Sequence, residues 1–350
     1  MAYTDIDKPS DYFNTKLYVG NGSANHAITG VGFQPDWVWY KGRNDSEDPK
    51  VFDAVRGVTK AIKPNGTDAE FTQSGVTSFN SDGFTLGSHT GGNQNNINFV
   101  SWNWLAANGT ASNTAGSINS TVSVNTTAGF SIVSYTGDGT NNNTATIGHG
   151  LGVAPSMIIV KGINATASWI TTNTINGWNN VLELNSAAAN AANTYAFGST
   201  GIPPTSTVFT VAAESGQHHT NTNNNTYIAY CFAEKQGFSK FGSYKGNGSS
   251  NGAFIYTGFS PAFIMVKSTS SSGQWFMFDN KRLGYNPENY RLIADVSDAE
   301  ADPGQTDFLS NGFKMRFTSG NANGSGVSYI YMAFAENPLV TSTGVPATAR

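Results

Sequence analysis

The feature that most constrains this chain is a set of three sequence blocks that each occur three times. The first block reads YVGNGS at 18–23, YTGDGT at 135–140 and YKGNGS at 244–249. A second block ends in a lysine six residues after a proline, at Lys41, Lys161 and Lys267. The closing block reads FVSWNWLA from Phe99, YIAYCFAE from Tyr227 and YIYMAFAE from Tyr329. Each copy is on the order of a hundred residues long, which is the size of a domain rather than of a solenoid repeat.

Local patterns predict strands throughout. Short runs of β-branched and aromatic residues are bounded by Gly, Asn and Pro clusters, and Asn-Gly or Asp-Gly dipeptides favour hairpin turns. The closing blocks are nearly continuous apolar runs, which are typical of a central strand buried on both faces. The sequence therefore predicts an all-β fold of three tandem antiparallel β-sandwich repeats, jelly-roll-like, of about 100 residues each. Helical signals are confined to 185–194 and 296–301, and either segment could equally be a loop.

The predicted boundaries follow the repeated blocks. They are an N-terminal lead (1–13), repeat 1 (14–110), a polar linker (111–125), repeat 2 (126–236), repeat 3 (237–338) and a C-terminal tail (339–350). With 350 residues, 38% of them hydrophobic, the chain can bury several cores, so we expect three compact domains.

Composition excludes several classes of function. Charged residues make up 12% of the chain, and the net charge of -4 provides no polybasic patch for a phosphate backbone, so we expect no nucleic-acid partner. No run approaches the roughly 18 apolar residues of a membrane helix. The N-terminus also lacks the basic and hydrophobic parts of a signal peptide, and we expect neither membrane insertion nor the usual secretion route.

Motifs for chemistry are nearly absent. Cys231 is the one cysteine, and its place in an apolar run indicates a buried core residue. His218 and His219 lie in a polar loop without a third ligand at metal spacing, which favours a solvated pair over a zinc site. An acidic cluster lacks the glycine and terminal glutamate of an EF-hand loop; its members are Asp295, Asp298, Glu300, Asp302 and Asp307. We therefore expect no catalytic residues, no metal, no cofactor and no enzyme activity.

The repeated lysines and the tryptophans of repeat 1 each allow two interpretations. A lysine after an apolar strand can lay its stem on the core and keep its ammonium in water, or three equivalent lysines can line pockets for an acidic ligand or partner. Strand tryptophans are either core residues or exposed platforms that stack on sugars. The candidate ligand or partner surface consists of Trp37, Trp39, Lys41, Lys161, Lys267, His218 and His219.

Several longer segments together resemble a known family. They include KPSDYFNTKLYVGNG (8–22), FQPDWVWYKGRN (33–44), TTAGFSIVSYTGDGT (126–140), GHGLGVAPSMIIVK (148–161) and YIAYCFAEKQGFSKFGSYKGNGS (227–249). The chain resembles, from about residue 8 to about residue 338, repetitive β-rich virion structural proteins of tailed phages that infect marine bacteria such as cyanobacteria, often labelled tail-fibre proteins. This resemblance implies a phage structural protein with sandwich-type domains and no catalytic residues to carry over.

The resemblance and the lack of catalytic motifs favour a non-enzymatic structural protein on the virion exterior, assembled in the host cytoplasm. It would be a tail-fibre or knob component, or a capsid decoration, in contact with capsid or tail proteins. By analogy with phage appendages we expect it to associate with itself as a homotrimer. The alternative is a carbohydrate-binding adhesin for host-surface glycans, which predicts a shallow groove with exposed Trp or Tyr flanked by Asn and Asp.

Overall fold

Antiparallel β-structure dominates the computed structural model, which describes residues 2–141, 143–192, 196–198, 200–213, 219–283, 285–287, 290–302 and 306–346. The prediction of an all-β fold is confirmed. The helices of the described residues are a 3-10 turn at Pro9–Asp11 and α1 at Thr90–Asn93. Neither of them has the length of a membrane span. The described part of 185–194 contains a two-residue strand instead of a helix, and 296–301 is irregular.

Repeat 1 folds into two stacked sheets. Its strands are β1 (Phe13–Val19), β2 (His26–Thr29), β3 (Trp37–Gly42), β4 (Lys50–Asp53), β5 (Lys60–Ala61), β6 (Phe71–Thr72), β7 (Val76–Asn80), β8 (Gly83–Leu86) and β9 (Asn98–Trp104). The main sheet has the order β1-β9-β3-β4, and a smaller sheet has the order β2-β8-β7. Strands β5 and β6 pair with each other.

Repeat 2 contributes the largest sheet. The strands from residue 111 onward are β10 (Ala111–Asn113), β11 (Ser120–Asn125), β12 (Phe130–Thr136), β13 (Thr146–Gly148), β14 (Met157–Gly162), β15 (Trp169–Asn173), β16 (Asn180–Glu183), β17 (Ala191–Ala192), β18 (Val208–Thr210) and β19 (Thr226–Phe232). The main sheet runs β10-β11-β12-β19-β14-β15-β16-β17, and β13 pairs with β18.

The segment 111–125 is not a linker, contrary to the prediction. Strands β10 and β11 lie in it and extend the main sheet next to β12. The reason is the alternation of apolar Val122 and Val124 with polar neighbours: Val122 is buried in the core of repeat 2 and Val124 packs against it. The Ser- and Thr-rich composition of the segment hides this pattern in the sequence.

Repeat 3 has the same central strand order. Its strands are β20 (Ser239–Lys245), β21 (Phe254–Tyr256), β22 (Phe259–Ser268), β23 (Phe276–Asp279), β24 (Leu292–Ile293), β25 (Thr306–Leu309), β26 (Gly312–Met315) and β27 (Ser328–Pro338). The main sheet is β20-β27-β22-β23-β24 and the smaller sheet is β21-β26-β25. In all three main sheets the closing block forms the strand between the first and the second block, as its continuous apolar run predicts.

Each main sheet is buried on both faces because apolar side chains alternate between two cores. In β3, Trp37 and Trp39 enter one core, whereas Val38 and Tyr40 enter another, between the two sheets of repeat 1. Strands β14 and β22 divide their side chains in the same way. Cys231 also faces a core, that of repeat 2, as predicted.

The first of these cores is common to all three repeats. It contains Phe13, Trp37 and Trp104 from repeat 1, Phe130, Tyr230 and Phe232 from repeat 2, and Phe263 and Phe334 from repeat 3. The ring of Trp37 stacks on that of Tyr230 with 4.5 Å between centroids, and Phe13 stacks on Phe334 at 5.0 Å. The division into three jelly-roll-like domains stays a prediction. What the structure adds is that the three main sheets bury one face against each other.

Candidate functional site

The three repeated lysines do not form a surface. Lys41, Lys161 and Lys267 are completely buried, and each ammonium group donates hydrogen bonds to backbone carbonyl oxygens. Both interpretations of the lysines from the sequence are therefore wrong: the ammonium groups neither reach water nor line an open pocket. The physical reason is that a loop of another repeat covers the end of each lysine-bearing strand.

These lysine contacts connect the repeats in a cycle. The Lys161 Nζ of repeat 2 bonds the carbonyl oxygen of Thr67 in repeat 1 at 3.1 Å. In repeat 3, Lys267 Nζ bonds the carbonyl oxygens of Ala187 and Ala188 in repeat 2 at 3.2 and 2.7 Å. The cycle is closed by Lys41 of repeat 1, whose Nζ lies 2.7 Å from the carbonyl oxygen of Val296 in repeat 3.

Backbone hydrogen bonds follow the same cycle. The amide of Glu70 donates to the carbonyl of Ile163 (2.8 Å), and the amide of Asn190 donates to that of Thr269 (3.0 Å). The third bond runs from Glu300 to Arg43 at 2.7 Å. Each acceptor lies two residues after the buried lysine of its repeat. The three contacts between repeats thus use the same backbone positions.

Burial has the same electrostatic consequence at each lysine. Loss of solvation lowers the pKa of Lys41, Lys161 and Lys267 to about 8, while nearby carboxylates oppose this change. The carboxylate is Asp68 for Lys161 and Asp295 for Lys267.

A second set of polar contacts crosses between repeats beneath the shared core. Asp53 of repeat 1 accepts a hydrogen bond from the Tyr230 hydroxyl of repeat 2 at 2.7 Å, and Asp279 of repeat 3 accepts one from Trp102 Nε1 of repeat 1 at 3.1 Å. In repeat 2 the residue equivalent to Asp53 and Asp279 is Asn173. It pairs with Met157 of β14, just as Asp53 pairs with Trp37 of β3 and Asp279 with Phe263 of β22.

In repeat 2, asparagine side chains also stand where repeats 1 and 3 have an ion pair between arginine and glutamate. Arg56 pairs with Glu70 at 3.1 Å in repeat 1, and Arg282 pairs with Glu300 at 3.1 Å in repeat 3. At the corresponding place in repeat 2, Asn176 Nδ2 donates to Asn190 Oδ1 at 2.7 Å. Acid and base are replaced together, so no buried charge is left without a partner.

The remaining residues of the predicted surface are not brought together either. Trp37 and Trp39 are each 1% exposed and lie in the shared core, so they offer no platform to a sugar. His219 is half-buried, and His218 lies outside the described residues. Of the two interpretations that the sequence left open for the strand tryptophans, the structure supports core residues. Strand periodicity alone does not show which face meets another repeat.

The acidic cluster is divided among separate partners. Asp295 accepts a hydrogen bond from the Trp275 amide at 2.8 Å, Glu300 pairs with Arg43 at 2.9 Å, and Asp307 pairs with Arg316 at 3.3 Å. In the described part of the chain, no group of three His, Cys, Asp or Glu side chains is placed to hold a metal ion.

Three buried asparagines, missed from the sequence, hold the glycine-rich turns. Asn93, Asn221 and Asn323 each lie five residues before the closing strand, and each backbone carbonyl accepts a hydrogen bond from the second glycine of the YxGxG motif at 2.7, 3.0 and 2.8 Å. Their side chains bond the same turns; Asn323 Nδ2, for example, donates to the carbonyl of Ser249 at 2.8 Å. The turns are thus structural. In the sequence, the sign of this role was that all three asparagines stand five residues before the closing strand.

An open groove of about 490 Å³ lies where repeat 3 meets repeat 2. One wall is the edge strand β21, from which Phe254 and Tyr256 project with 47% and 50% of their surface exposed. Ile175 of repeat 2, which is 51% exposed, also lines it. We call this feature the aromatic groove; its lining residues are Thr174, Ile175, Glu234, Lys240, Phe241, Gly242, Ser243, Tyr244, Phe254, Ile255, Tyr256 and Tyr331.

Polar groups are placed along the same groove. Glu234 forms an ion pair with Lys240 at 3.1 Å, with both side chains partly exposed. The side chain of Tyr331 is buried. Burial is the larger cause of the raised pKa of its hydroxyl, and the nearby Glu234 carboxylate raises this pKa further. Tyr331 lies over Gly242, where a Cβ atom would approach its hydroxyl oxygen to 2.6 Å. Glycine at 242 therefore makes room for this hydroxyl.

Comparison with known proteins identifies a family. A family model described as a domain of unknown function, DUF7483, matches residues 8–338, and the chain therefore belongs to this family. One model spans all three repeats, as does the shared core. No curated protein and no solved structure matches the chain.

Proposed function

We propose that this member of the DUF7483 family is a non-enzymatic structural protein on the exterior of a tailed-phage virion, as a tail-fibre or knob component or a capsid decoration. The observation that carries the proposal is the closed cycle of contacts around the shared core. Interlocked β-sheets of this kind suit a body that must keep its shape. The resemblance of the sequence to phage virion proteins supports a location in a virion.

The low charge content supports exposure to salt water. With charged residues at 12%, the surface relies on amides and hydroxyls rather than on ion pairs, which salt screens strongly. We expect the fold to respond little to ionic strength.

Attachment to capsid or tail proteins would use a folded face rather than the N-terminal lead. Ile6 of the lead is buried in the shared core, and Thr4 Oγ1 donates to the carbonyl of Gln236 at 2.8 Å. Residues 3–6 are therefore engaged by the body of the same chain. Self-association as a homotrimer belongs to the same proposal.

The test is to locate the chain in purified particles of the phage that encodes it. Mass spectrometry first establishes that the particles contain the chain, and gold-labelled antibodies against it are then imaged on intact and on disrupted particles. The proposal requires label on intact particles, at the capsid surface or on the tail. Absence of the chain from the particles, or label that appears only after disruption, would overturn it.

The alternative function, an adhesin that binds host-surface glycans, is supported by a different observation. The aromatic groove presents exposed rings beside polar side chains, the combination expected of a sugar-binding surface. This function does not depend on where the chain lies in the particle.

A further inference from the structure

We infer that the aromatic groove between strands β20 and β21, at the contact of repeats 2 and 3, binds a neutral oligosaccharide. The inference rests on one arrangement: the rings of Phe254 and Tyr256, the Glu234–Lys240 ion pair and the Tyr331 side chain all line the same open groove. This inference deepens the adhesin alternative and rests on it. It is independent of the place of the chain in a virion.

The aromatic rings are not required by the fold. Phe254 and Tyr256 flank Ile255, which enters the core of repeat 3, and the equivalent core residues are Ile28 and Ile147. On either side of those isoleucines, repeat 1 has Ala27 and Thr29, and repeat 2 has Thr146 and Gly148. In the other two repeats the core isoleucine of this strand is thus flanked by small residues. The two large rings of repeat 3 expose apolar surface without contributing to that core position.

The floor of the groove is also particular to repeat 3. Tyr331 is opposite Gly242 in the main sheet, and the equivalent pairs are Ser101 opposite Lys16 and Ala229 opposite Val133. Only small residues occupy the place of Tyr331 in the other two repeats. A tyrosine hydroxyl above a glycine therefore adds a donor and acceptor group to the groove.

Tyr256 is held in place at the end of β21. The Tyr3 hydroxyl donates to the carbonyl of Gly258 at 2.6 Å, and burial together with hydrogen bonding to Tyr256 raises the pKa of Tyr3 to about 12. A ring that is already oriented loses less conformational entropy when a ligand binds.

The balance of charge selects the class of ligand. Glu234 and Lys240 neutralise each other at 3.1 Å, and they are the ionisable residues of opposite charge along the groove. A neutral polyol satisfies both, because a hydroxyl group can donate to the carboxylate and accept from the ammonium group. Sugar rings add apolar C–H faces that pack on Phe254 and Tyr256. An anionic ligand would meet Glu234 and a cationic one would meet Lys240.

Binding rather than cleavage is inferred. Glycoside hydrolysis generally uses two carboxyl groups, and among the described residues that line the groove Glu234 is the single carboxylate. The volume of about 490 Å³ lies within the range of small-ligand sites, and the open form suits an extended chain of sugars.

The experiment is a binding screen of the full chain by isothermal titration and saturation-transfer NMR. The panel contains neutral cello-, xylo-, malto- and β-1,3-gluco-oligosaccharides, with sialyllactose and heparin fragments as anionic contrasts. We expect at least one neutral oligosaccharide to bind with a Kd between about 10 µM and 1 mM. Its binding should change little with salt, because no net charge is neutralised.

Two variants locate the site. Replacement of both groove rings, Phe254→Ala with Tyr256→Ala, should weaken binding at least about tenfold. Tyr285→Ala is the matched control, since Tyr285 is 65% exposed and lies outside the groove. The thermal midpoint of each variant, measured alongside, should stay close to that of the wild type, because the replaced rings are half-exposed and lie outside the core of repeat 3.

The results separate three questions: whether the chain is an adhesin, whether the groove is its site, and which class of sugar it binds. If no oligosaccharide binds the wild type, the adhesin alternative fails and this inference fails with it. If the wild type binds and the groove variant binds equally well, the chain is an adhesin but the groove is not its site. Preference for the anionic sugars over every neutral one contradicts the ligand class.

Discussion

At the level of single residues, Lys41, Lys161 and Lys267 are charged groups that the fold buries away from water. Each ammonium group has lost water and gained carbonyl oxygens from another part of the chain. Carbonyl groups satisfy the N–H donors but provide only part of the charge stabilisation that water gives. The lysines thus link the repeats, and this link costs part of the hydration free energy of each ammonium group.

Replacing one lysine should weaken the fold. Lys161→Met keeps the length of the stem but leaves the carbonyls of Thr67, Gly162 and Ala167 without this donor. We expect the free energy of unfolding to fall by about 2 kcal/mol, measured by urea titration. The control is Lys245→Met, because Lys245 is exposed at the end of β20 and its loss should change stability by less than about 0.5 kcal/mol. Equal effects of the two variants would contradict the role of Lys161.

The lysines also predict a dependence of stability on pH. A folded pKa of about 8 lies below the unfolded value of 10.5, so above pH 8 the unfolded chain binds more protons than the folded one. Each lysine should therefore add to the free energy of unfolding between pH 8 and pH 10, by up to about 1.4 kcal/mol per pH unit. Urea titrations of the wild type and of Lys161→Met at pH 8, 9 and 10 measure the two slopes. The free energy of unfolding should rise less, or fall more, with pH in Lys161→Met than in the wild type, and equal slopes would refute this explanation.

The lysine pattern was visible in the sequence, but its meaning was not. The spacing of Lys41, Lys161 and Lys267 after a proline is regular, whereas the partner carbonyls in the other repeats lie 79 to 255 residues away along the chain. No local pattern links positions so far apart. The exchange of Arg56 and Glu70 for Asn176 and Asn190, by contrast, is a pairing that a comparison of the repeats could have found.

Among the structural elements, each YxGxG turn is fixed by one asparagine in the segment before the closing strand. Asn323→Ala removes side-chain hydrogen bonds to Asn247, Ser249 and Phe317 inside the protein. We expect a loss of about 2–4 kcal/mol and faster hydrogen exchange of the amides at 246–249. Asn119→Ala, at an exposed position, is the control and should leave both quantities unchanged. Unaltered exchange in the Asn323 variant would show that the turn holds without it.

The amide set of repeat 2 predicts how repeat 1 responds to substitution. Arg56→Asn leaves the buried Asp53 without its cation and should cost about 3–5 kcal/mol. Adding Asp53→Asn reproduces the Asn173 and Asn176 positions of repeat 2 and should recover part of that loss, which a double-mutant cycle in urea measures as a coupling energy. Strictly additive effects of the two substitutions would contradict the explanation.

The strands themselves were the most predictable part of the fold. Alternation and continuous apolar runs indicated the antiparallel class and the central position of the closing blocks. Strands β10 and β11 were missed because Ser and Thr obscure two valines. The aromatic groove was missed because Phe254 and Tyr256 resemble ordinary strand residues in the sequence, and Ile175, which completes the groove, comes from repeat 2.

Across the whole molecule, three similar segments bury one face against each other, and we expect them to unfold as a single cooperative body. The shared core contains large rings from every repeat, so removal of one repeat would expose the rings of the other two. Three independent domains would instead each close a separate core. The two arrangements differ in how the chain unfolds.

Differential scanning calorimetry of the full chain distinguishes a single cooperative body from three independent domains. A single body predicts one transition whose calorimetric enthalpy equals its van't Hoff enthalpy. Three independent domains would give separate transitions, or one envelope whose calorimetric enthalpy is about three times the van't Hoff value. A ratio near one supports the shared core, and a ratio near three contradicts it.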